Sequence, residues 1–377
     1  MTRSPLAPAL LALLLVGCGG RASPPPRTSP VLGKLTPAIK YGVVDPDAAT
    51  PTYVNADTAF VDGVHVGYEI RRLVDGHEQT VVSLPDGFYS QEARSLRVVA
   101  DDDIWVVTQS SCLFFDCLIH WDGSSWEPVS LAGAVLRDAD HGLQIEAVAA
   151  ISGEAWALVT VYLGSESQLC HEENGAWTCE ETQLCHRASG AWTCERTGIS
   201  LGRYEQRLAV AGGTVWVVPS DGHLYRREAN GTFVLTSEGV ITQLLPLVDG
   251  SLAFVGYDDD QAPTTLRRVA GGSITVLAQV VPYAVYGEAR IFGRSVDHLF
   301  AIATDRETEG HLGSHSVWTQ VMVSHVEAGT LREVGHYDAM GGGADLRAIG
   351  YLGRTTGMVL PDGRAAIHLN DGVFVTQ

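Results

Sequence analysis

The sequence predicts an all-β protein in which one sheet unit is repeated around a ring. A hairpin pattern with a glycine turn recurs along the chain, a further apolar strand precedes most of its copies, and no long amphipathic helix follows residue 18. The 41 glycines and 16 prolines among 377 residues favour turns over long helices. A unit of four strands in about 45 residues is typical of a β-propeller blade.

In each hairpin, an apolar arm that carries Arg or His leads into a polar turn ending in glycine. The turn glycines are Gly76, Gly123, Gly175, Gly190, Gly231, Gly272, Gly329 and Gly372. Gly175 and Gly190 lie 15 residues apart, whereas the other neighbouring glycines lie 41 to 57 residues apart. The longer period predicts a β-propeller with about seven four-stranded blades, with six or eight blades still open.

The strands that precede the hairpins follow acidic or glycine-containing turns. The clearest are residues 104–107, 155–159, 215–218, 252–255 and 299–302, with weaker versions near Phe60 and Met358. The chain ends in a hairpin, which predicts a complete last blade, and residues 39–44 could close the ring. A pair of β-sandwiches would explain short strands but not a single period held along the chain.

Composition excludes two classes of protein. The 44 acidic and 25 basic residues give a net charge of −19, whereas nucleic-acid binding needs a basic surface. The chain is 45% hydrophobic and only 18% charged, which is too apolar for a disordered protein.

Residues 1–17 are predicted to be a lipoprotein signal peptide. Arg3 precedes an apolar run at 6–16, which is shorter than the roughly 17–25 residues of a membrane span and suits a signal peptide. The run ends in LVGC at 15–18, which resembles the lipobox of bacterial lipoproteins. The resemblance implies cleavage before Cys18 and attachment to its sulfur of a diacylglycerol, whose acyl chains are fatty acids such as palmitate. An ordinary signal peptide with an incidental cysteine is the alternative.

The same resemblance predicts a location in the cell envelope. Aspartate after the lipidated cysteine tends to retain such lipoproteins at the inner membrane, and Gly19 stands there instead, so the outer membrane is favoured. Residues 18–35 are interpreted as the lipidated cysteine and a proline-rich extended tether. Residues 36–377 then form the propeller, with a duplicated disulfide hairpin at 168–197.

A tandem duplication contains four of the seven cysteines. Residues 168–182 (QLCHEENGAWTCEET) and 183–197 (QLCHRASGAWTCERT) share eleven identities, and each has a two-residue turn. Counting outward from each turn places the cysteines opposite one another in non-hydrogen-bonded pairs, within disulfide distance. Disulfide bonds form in the oxidising compartments that an exported protein reaches. The predicted disulfides are Cys112–Cys117, Cys170–Cys179 and Cys185–Cys194.

A zinc site formed by these cysteines and the histidines beside them is the alternative. The Cys-x-x-Cys spacing typical of zinc sites is missing. Adjacent residues of a strand also point to opposite faces, so Cys170 and His171 cannot easily share one ion. No metal ligand and no cofactor are predicted.

One blade carries a family resemblance. Residues 104–107 (IWVV) and 118–129 (LIHWDGSSWEPV) resemble blades of the Kelch and photosystem-assembly-factor type of propeller. The resemblance implies a fold and no particular activity, because propellers have many functions.

Few residues point to chemistry. The acidic triplets 101–103 and 258–260 are interpreted as solvated turns, because no Ca²⁺-binding loop follows them. Basic residues recur in the hairpin arms and predict either blade-to-blade contacts or a ring of cations around a central channel. They are His120, His171, His186, His325, His368, Arg71, Arg226 and Arg267. No hydrolase, phosphate-loop or dinucleotide motif is present, and no catalytic residue is predicted.

These observations favour a binding or scaffold module for a protein or glycan partner, held at the membrane by the lipid on Cys18 and expected to be monomeric. A hydrolase or lyase with its site at the channel mouth is the alternative, and a passive envelope component is the third possibility. We expect a partner to contact the polar segment 304–318 or the cysteine-closed hairpins at 112–117 and 170–194.

Overall fold

Seven four-stranded antiparallel sheets and two short two-stranded hairpins make up the described part of the chain. The computed structural model describes residues 33–34, 41–45, 52–55, 60–61, 64–65, 69–74, 77–85, 93–112, 115–131, 143–162, 171–173, 176–178, 180–197, 207–219, 221–259, 262–281, 289–311, 314–327, 329–342, 357–360, 362–369 and 372–376. Within these ranges the single helical segment is a 3₁₀ turn, Val296–His298. No helix in them is long and apolar enough to cross a bilayer.

The chain begins its strands with β1 (Gly33–Lys34) and then builds blades 1 to 4 in order. Blade 1 consists of β2 (Tyr41–Asp45), β3 (Thr52–Asn55), β6 (Glu69–Val74) and β7 (His77–Ser83), with a hairpin of β4 (Phe60–Val61) and β5 (Val64–His65). Blade 2 consists of β8 (Ala93–Ala100), β9 (Asp103–Cys112), β10 (Phe115–Trp121) and β11 (Trp126–Val129). Blade 3 consists of β12 (Leu143–Ile151), β13 (Glu154–Tyr162), β16 (Glu180–Ala188) and β17 (Ala191–Arg196), with a hairpin of β14 (His171–Glu173) and β15 (Ala176–Thr178). Blade 4 consists of β18 (Arg207–Ala211), β19 (Thr214–Val218), β20 (Leu224–Arg227) and β21 (Phe233–Ser237).

Blades 5 to 7 follow the same plan. Blade 5 consists of β22 (Val240–Pro246), β23 (Leu252–Tyr257), β24 (Thr264–Ala270) and β25 (Ser273–Val281). Blade 6 consists of β26 (Ala289–Gly293), β27 (Leu299–His311), β28 (Ser314–Glu327) and β29 (Thr330–Gly342). Blade 7 consists of β30 (Gly357–Val359), β31 (Ala365–Leu369), β32 (Gly372–Val375) and β1.

The sheets are arranged as the blades of a propeller. In blades 1 to 6 each strand pairs with the strand that precedes it in the blade. The first strand of each blade contacts the first strand of the next, from blade 1 through to blade 7. First strands therefore lie toward the centre and fourth strands form the rim. The predicted fold class, an all-β propeller with seven four-stranded blades, is confirmed.

The rim strand of blade 7 comes from the other end of the chain. Gly33 pairs with Val375, and Lys34 pairs with Phe374. The expectations of a complete last blade and of closure through residues 39–44 are therefore wrong, because β32 is a third strand and β2 is the first strand of blade 1. The exchange covers the edge that β32 would otherwise expose. It also brings two residues of the predicted tether, 18–35, into the propeller.

Three other sequence assignments differ from the structure. Phe60 lies in the small β4–β5 hairpin, and Met358 lies in the first strand of blade 7. A short apolar run does not by itself specify which strand it forms. The polar character of the segment 304–318 predicts an insertion between strands. The structure continues β27 and β28 through it, and the two strands stay paired from Phe300 to His311.

Apolar side chains pack between consecutive blades. The described residues form six apolar clusters, and each combines residues of two neighbouring blades, from blades 1 and 2 to blades 6 and 7. Alternation along a strand sends successive side chains to opposite faces of the blade. Both faces meet a neighbouring blade, which explains the nearly continuous apolar second strands such as 104–107.

The two copies of the duplication have different places in blade 3. The first copy forms the β14–β15 hairpin, whose register of His171 opposite Thr178 agrees with the count from the turn. The second copy supplies most of β16 and all of β17, where Cys185 lies opposite Cys194. A disulfide joins these two cysteines with 4.0 Å between their Cα atoms, so the third and fourth strands of blade 3 are covalently linked.

The double substitution Cys185→Ala with Cys194→Ala is expected to lower the free energy of unfolding by about 2–3 kcal/mol. The bond spans nine positions of sequence, and its loss frees that loop in the unfolded chain. Urea unfolding of the two proteins measures the difference. Thr193→Ala on the exposed face of the same strand is the control, and an equal loss in both variants would contradict the prediction.

Candidate functional site

An aromatic residue on the second strand of a blade faces a basic residue on the third strand in six of the seven blades. The paired residues are Tyr53 and Arg71, Trp105 and His120, Trp156 and His186, Trp216 and Arg226, Phe254 and Arg267, and Phe300 and His325. The rings of Trp105 and His120 stack with centroids 4.0 Å apart, and those of Trp156 and His186 stack at 3.6 Å.

These pairs count against one of the two predictions made for the recurring basic residues, a ring of cations around the central channel. The third strand lies two strands away from the centre, so side chains on it do not form a ring around the channel. His120, His186 and His325 contact the aromatic rings of their own blades instead. His171 and His368 do not share the position, because His171 lies in β14 and His368 faces Val373.

In blades 3 and 4 the next residue of the third strand is an arginine that reaches the preceding blade. Arg187 of blade 3 places its guanidinium carbon 5.3 Å from the ring centroid of Trp105 in blade 2. Arg227 of blade 4 does the same over Trp156 of blade 3, at 5.4 Å. Each tryptophan therefore contacts a histidine of its own blade and an arginine of the next one.

A pocket of about 360 Å³ opens at the junction of blades 2 and 3. Its rim is formed by the turns that join first to second and third to fourth strands, which lie at the same end of a blade because neighbouring strands are antiparallel. Asp102 and Asp122 come from these turns, Glu154 is the first residue of β13, and Arg187 lies near the end of β16. Trp105 and His120 form part of the wall.

The wall contains a compact hydrogen-bonded group. Asp103 accepts a hydrogen bond from the indole Nε1 of Trp105 at 2.8 Å and lies 3.0 Å from Nε2 of His120. The carboxylate of Asp103 thus fixes the orientation of both rings. Because these groups already bind one another, they shape the pocket more than they offer free hydrogen-bonding atoms to it.

The turn that carries Asp122 is held by its own carboxylate. Oδ1 of Asp122 accepts hydrogen bonds from the backbone amides of Ser125 and Ser124 and from the Ser124 hydroxyl, each at 2.8 Å. These bonds favour the ionised form and lower the pKa of Asp122 to about 2. Next to the pocket, a hydrogen bond from Arg72 of blade 1 lowers the pKa of Asp101.

The structure brings the predicted site residues together only in part. The Cys185–Cys194 disulfide lies in the apolar cluster between blades 2 and 3, where Trp105 also lies. Cys112 and Cys117 lie in β9 and β10, but their side chains are outside the described part of the structure. Cys18, Cys170 and Cys179 are outside the described residues altogether. No group of three or more His, Cys, Asp or Glu in the described ranges could hold a metal ion.

Sequence reasoning missed Arg187 and Glu154. An arginine directly after the recurring basic residue is a signal that could have identified Arg187, since Arg227 and Arg268 stand at the same step of their hairpins. Glu154 had no such signal, because its role depends on how blade 3 lies against blade 2. Asp102 belongs to the triplet that was interpreted as a solvated turn, and its side chain is exposed at the rim.

Comparison with known proteins adds no family. No protein-family model and no curated protein matches the chain, so the likeness to Kelch-type blades stays a resemblance.

Three solved structures are similar at the level of the fold. TolB from Acinetobacter baumannii is 14% identical over 82% of this chain and 65% of its own, with a TM-score of 0.43. A puromycin hydrolase is 14% identical over 87% of this chain and 58% of its own, with a TM-score of 0.43. The GH43 protein BlXynB from Bacillus licheniformis is 13% identical over 76% of this chain and 57% of its own, with a TM-score of 0.37. This chain spans less than two thirds of each of them.

Proposed function

We propose that this protein is a lipid-anchored envelope protein whose propeller binds a protein or glycan partner at the pocket between blades 2 and 3. The pocket itself is the observation that carries the proposal. It is concave, and it gathers charged side chains from several separate segments in two blades. Binding sites are commonly clefts with a few convergent polar groups, and loops and turns on a rigid scaffold often carry recognition.

The anchor is part of the same proposal. The lipobox-like run at 15–18 supports lipidation of Cys18, and fifteen positions separate Cys18 from Gly33, where β1 begins. A proline-rich chain extends by about 3.1 Å per residue, so the tether would reach roughly 45 Å. Since β1 is the rim strand of blade 7, the tether would leave from the edge of the ring and not from the channel.

A hydrolase with its site in the same pocket is the second candidate. The contact between His120 and Asp103 favours it, because a histidine oriented by a carboxylate can act as a general base. The stacking of His120 on Trp105 is, however, repeated by His186 on Trp156 in the next blade. A repeated packing contact accounts for His120 without catalysis, and binding is therefore the preferred function.

Proximity labelling in intact cells tests the binding function. The wild-type chain is expected to label a defined partner in the membrane fraction, and Ser152→Trp, which fills the mouth of the pocket, is expected to abolish that label. Cys18→Ser is expected to move the protein out of the membrane fraction. Ser130→Trp is the control for surface bulk, because Ser130 is exposed and does not line the pocket. Equal labelling of one partner by the wild type and Ser152→Trp would overturn the proposal.

A further inference from the structure

Three arginines occupy the same position in consecutive blades, and two of them bind a carboxylate. Each directly follows the third-strand residue that faces the aromatic ring; they are Arg187, Arg227 and Arg268. Arg227 forms an ion pair with Glu195 of blade 3, in which Nη2 lies 3.2 Å from Oε2. Arg268 forms an ion pair with Asp249 and donates a hydrogen bond to the Ser251 hydroxyl at 2.8 Å.

Arg187 has the aromatic contact without the carboxylate. Its guanidinium lies over Trp105, and it makes no hydrogen bond or ion pair with any other residue that the structure describes. The strand register explains the difference. Glu195 faces Leu184 on the rim strand of blade 3, and the same step in blade 2 pairs Leu118 with Val129. Val129 therefore occupies beside Arg187 the position that the carboxylate of Glu195 occupies beside Arg227. Val129 packs into the apolar cluster between blades 2 and 3.

We propose that Arg187 binds the carboxylate of a ligand that enters the pocket between blades 2 and 3. This inference rests on the proposed function and names the chemistry of its ligand. Arg187 lines the pocket, so its guanidinium can be reached from the pocket side. A guanidinium offers five N–H donors in a planar fork that fits a carboxylate, and its face is already held on the ring of Trp105.

The other charges of the pocket define the rest of the ligand. Asp102 and Glu154 lie on the rim and repel a simple anion, and Glu154 also lies 3.4 Å from Nε2 of His186. A ligand that approaches Arg187 must therefore bring hydrogen-bond donors that offset these two carboxylates. Asp103 and Asp122 already accept hydrogen bonds from neighbouring groups. A pocket of about 360 Å³ suits a small ligand of this kind. The ligand class is a carboxylate with hydroxyl or ammonium donors nearby, as in an acidic sugar or a zwitterionic dipeptide.

Calorimetric titration of the disulfide-bonded protein with four small molecules tests this assignment. D-glucuronate carries hydroxyl donors beside its carboxylate, and glycylglycine carries an ammonium group; at least one of them is expected to bind. D-glucose lacks the carboxylate and acetate lacks the donors, and both are expected to bind at least tenfold more weakly. Binding by acetate as tight as that of the better ligand would overturn the role of Asp102 and Glu154.

Two variants and one control identify the role of Arg187. Arg187→Met is expected to weaken binding at least tenfold. Val129→Glu leaves Arg187 in place and offers it an internal carboxylate, as Glu195 does for Arg227, so it is expected to weaken binding by a similar factor. Arg227→Met removes an arginine that already has its partner and is expected to leave binding unchanged.

The inference is overturned if neither glucuronate nor glycylglycine binds, or if binding survives in both Arg187→Met and Val129→Glu. If either result is obtained while Ser152→Trp still abolishes partner labelling, only the carboxylate site is refuted. If Ser152→Trp also labels the partner as the wild type does, the proposed function is refuted together with the carboxylate site.

Discussion

Replacing Trp105 with alanine is expected to lower the free energy of unfolding by about 3–5 kcal/mol. The side chain is only 2% exposed and belongs to the apolar cluster between blades 2 and 3. Its removal leaves a cavity and takes away the contacts with the rings of His120 and Trp192 and with the guanidinium of Arg187. Urea unfolding followed by circular dichroism measures the loss.

Trp105→Phe separates the packing of the ring from its hydrogen bond. Phenylalanine keeps most of the buried surface but cannot donate a hydrogen bond to Asp103. We therefore expect Trp105→Phe to lower the free energy of unfolding clearly less than Trp105→Ala does. Equal costs in the two variants would contradict the packing argument and assign the effect to the hydrogen bond with Asp103. Because the ring also supports His120 and Arg187, the alanine variant is expected to lose the pocket even where the protein remains folded.

The features that the sequence predicts well are local ones. The hairpin glycines Gly123, Gly190, Gly231, Gly272 and Gly329 all have φ between +82° and +89°, a region in which other residues are strained. A short turn fixes the register of the strands beside it, and this is why counting from Ser189 and Gly190 places Cys185 opposite Cys194. The apolar second strands are equally visible, since both of their faces are buried.

The features that the sequence does not reveal depend on distant parts of the chain. The strand Gly33–Lys34 has only two residues, and nothing in them indicates that Val375 and Phe374 are their partners. The pocket requires the turn of Asp122 to lie beside the turn of Glu154, which the packing of two blades decides. Val129 and Glu195 can be recognised as equivalent positions only when the strand registers of both blades are known. The difference between Arg187 and Arg227 is therefore visible only in the structure.

Gly293→Ala is the second substitution with a large expected effect, a loss of about 3–5 kcal/mol in the free energy of unfolding. Gly293 is the last residue of β26 and is buried, with φ of +134°, a conformation that residues with a side chain rarely adopt. An added Cβ would overlap the carbonyl oxygen of His298 and lie 3.1 Å from Cα of Leu299. Both neighbours are backbone, so neither can move aside by changing a rotamer.

Gly363→Ala is the matched control for the conformational part of this cost. Gly363 also has a positive φ, +83°, but a Cβ there would meet nothing within 4 Å. Its alanine variant is expected to lose only about 1–2 kcal/mol. The difference between the two variants in urea unfolding then measures how tightly the turn between β26 and β27 is packed. If both variants lose the same amount, the close approach of Gly293 to His298 contributes nothing, and the turn must be able to open without disturbing blade 6.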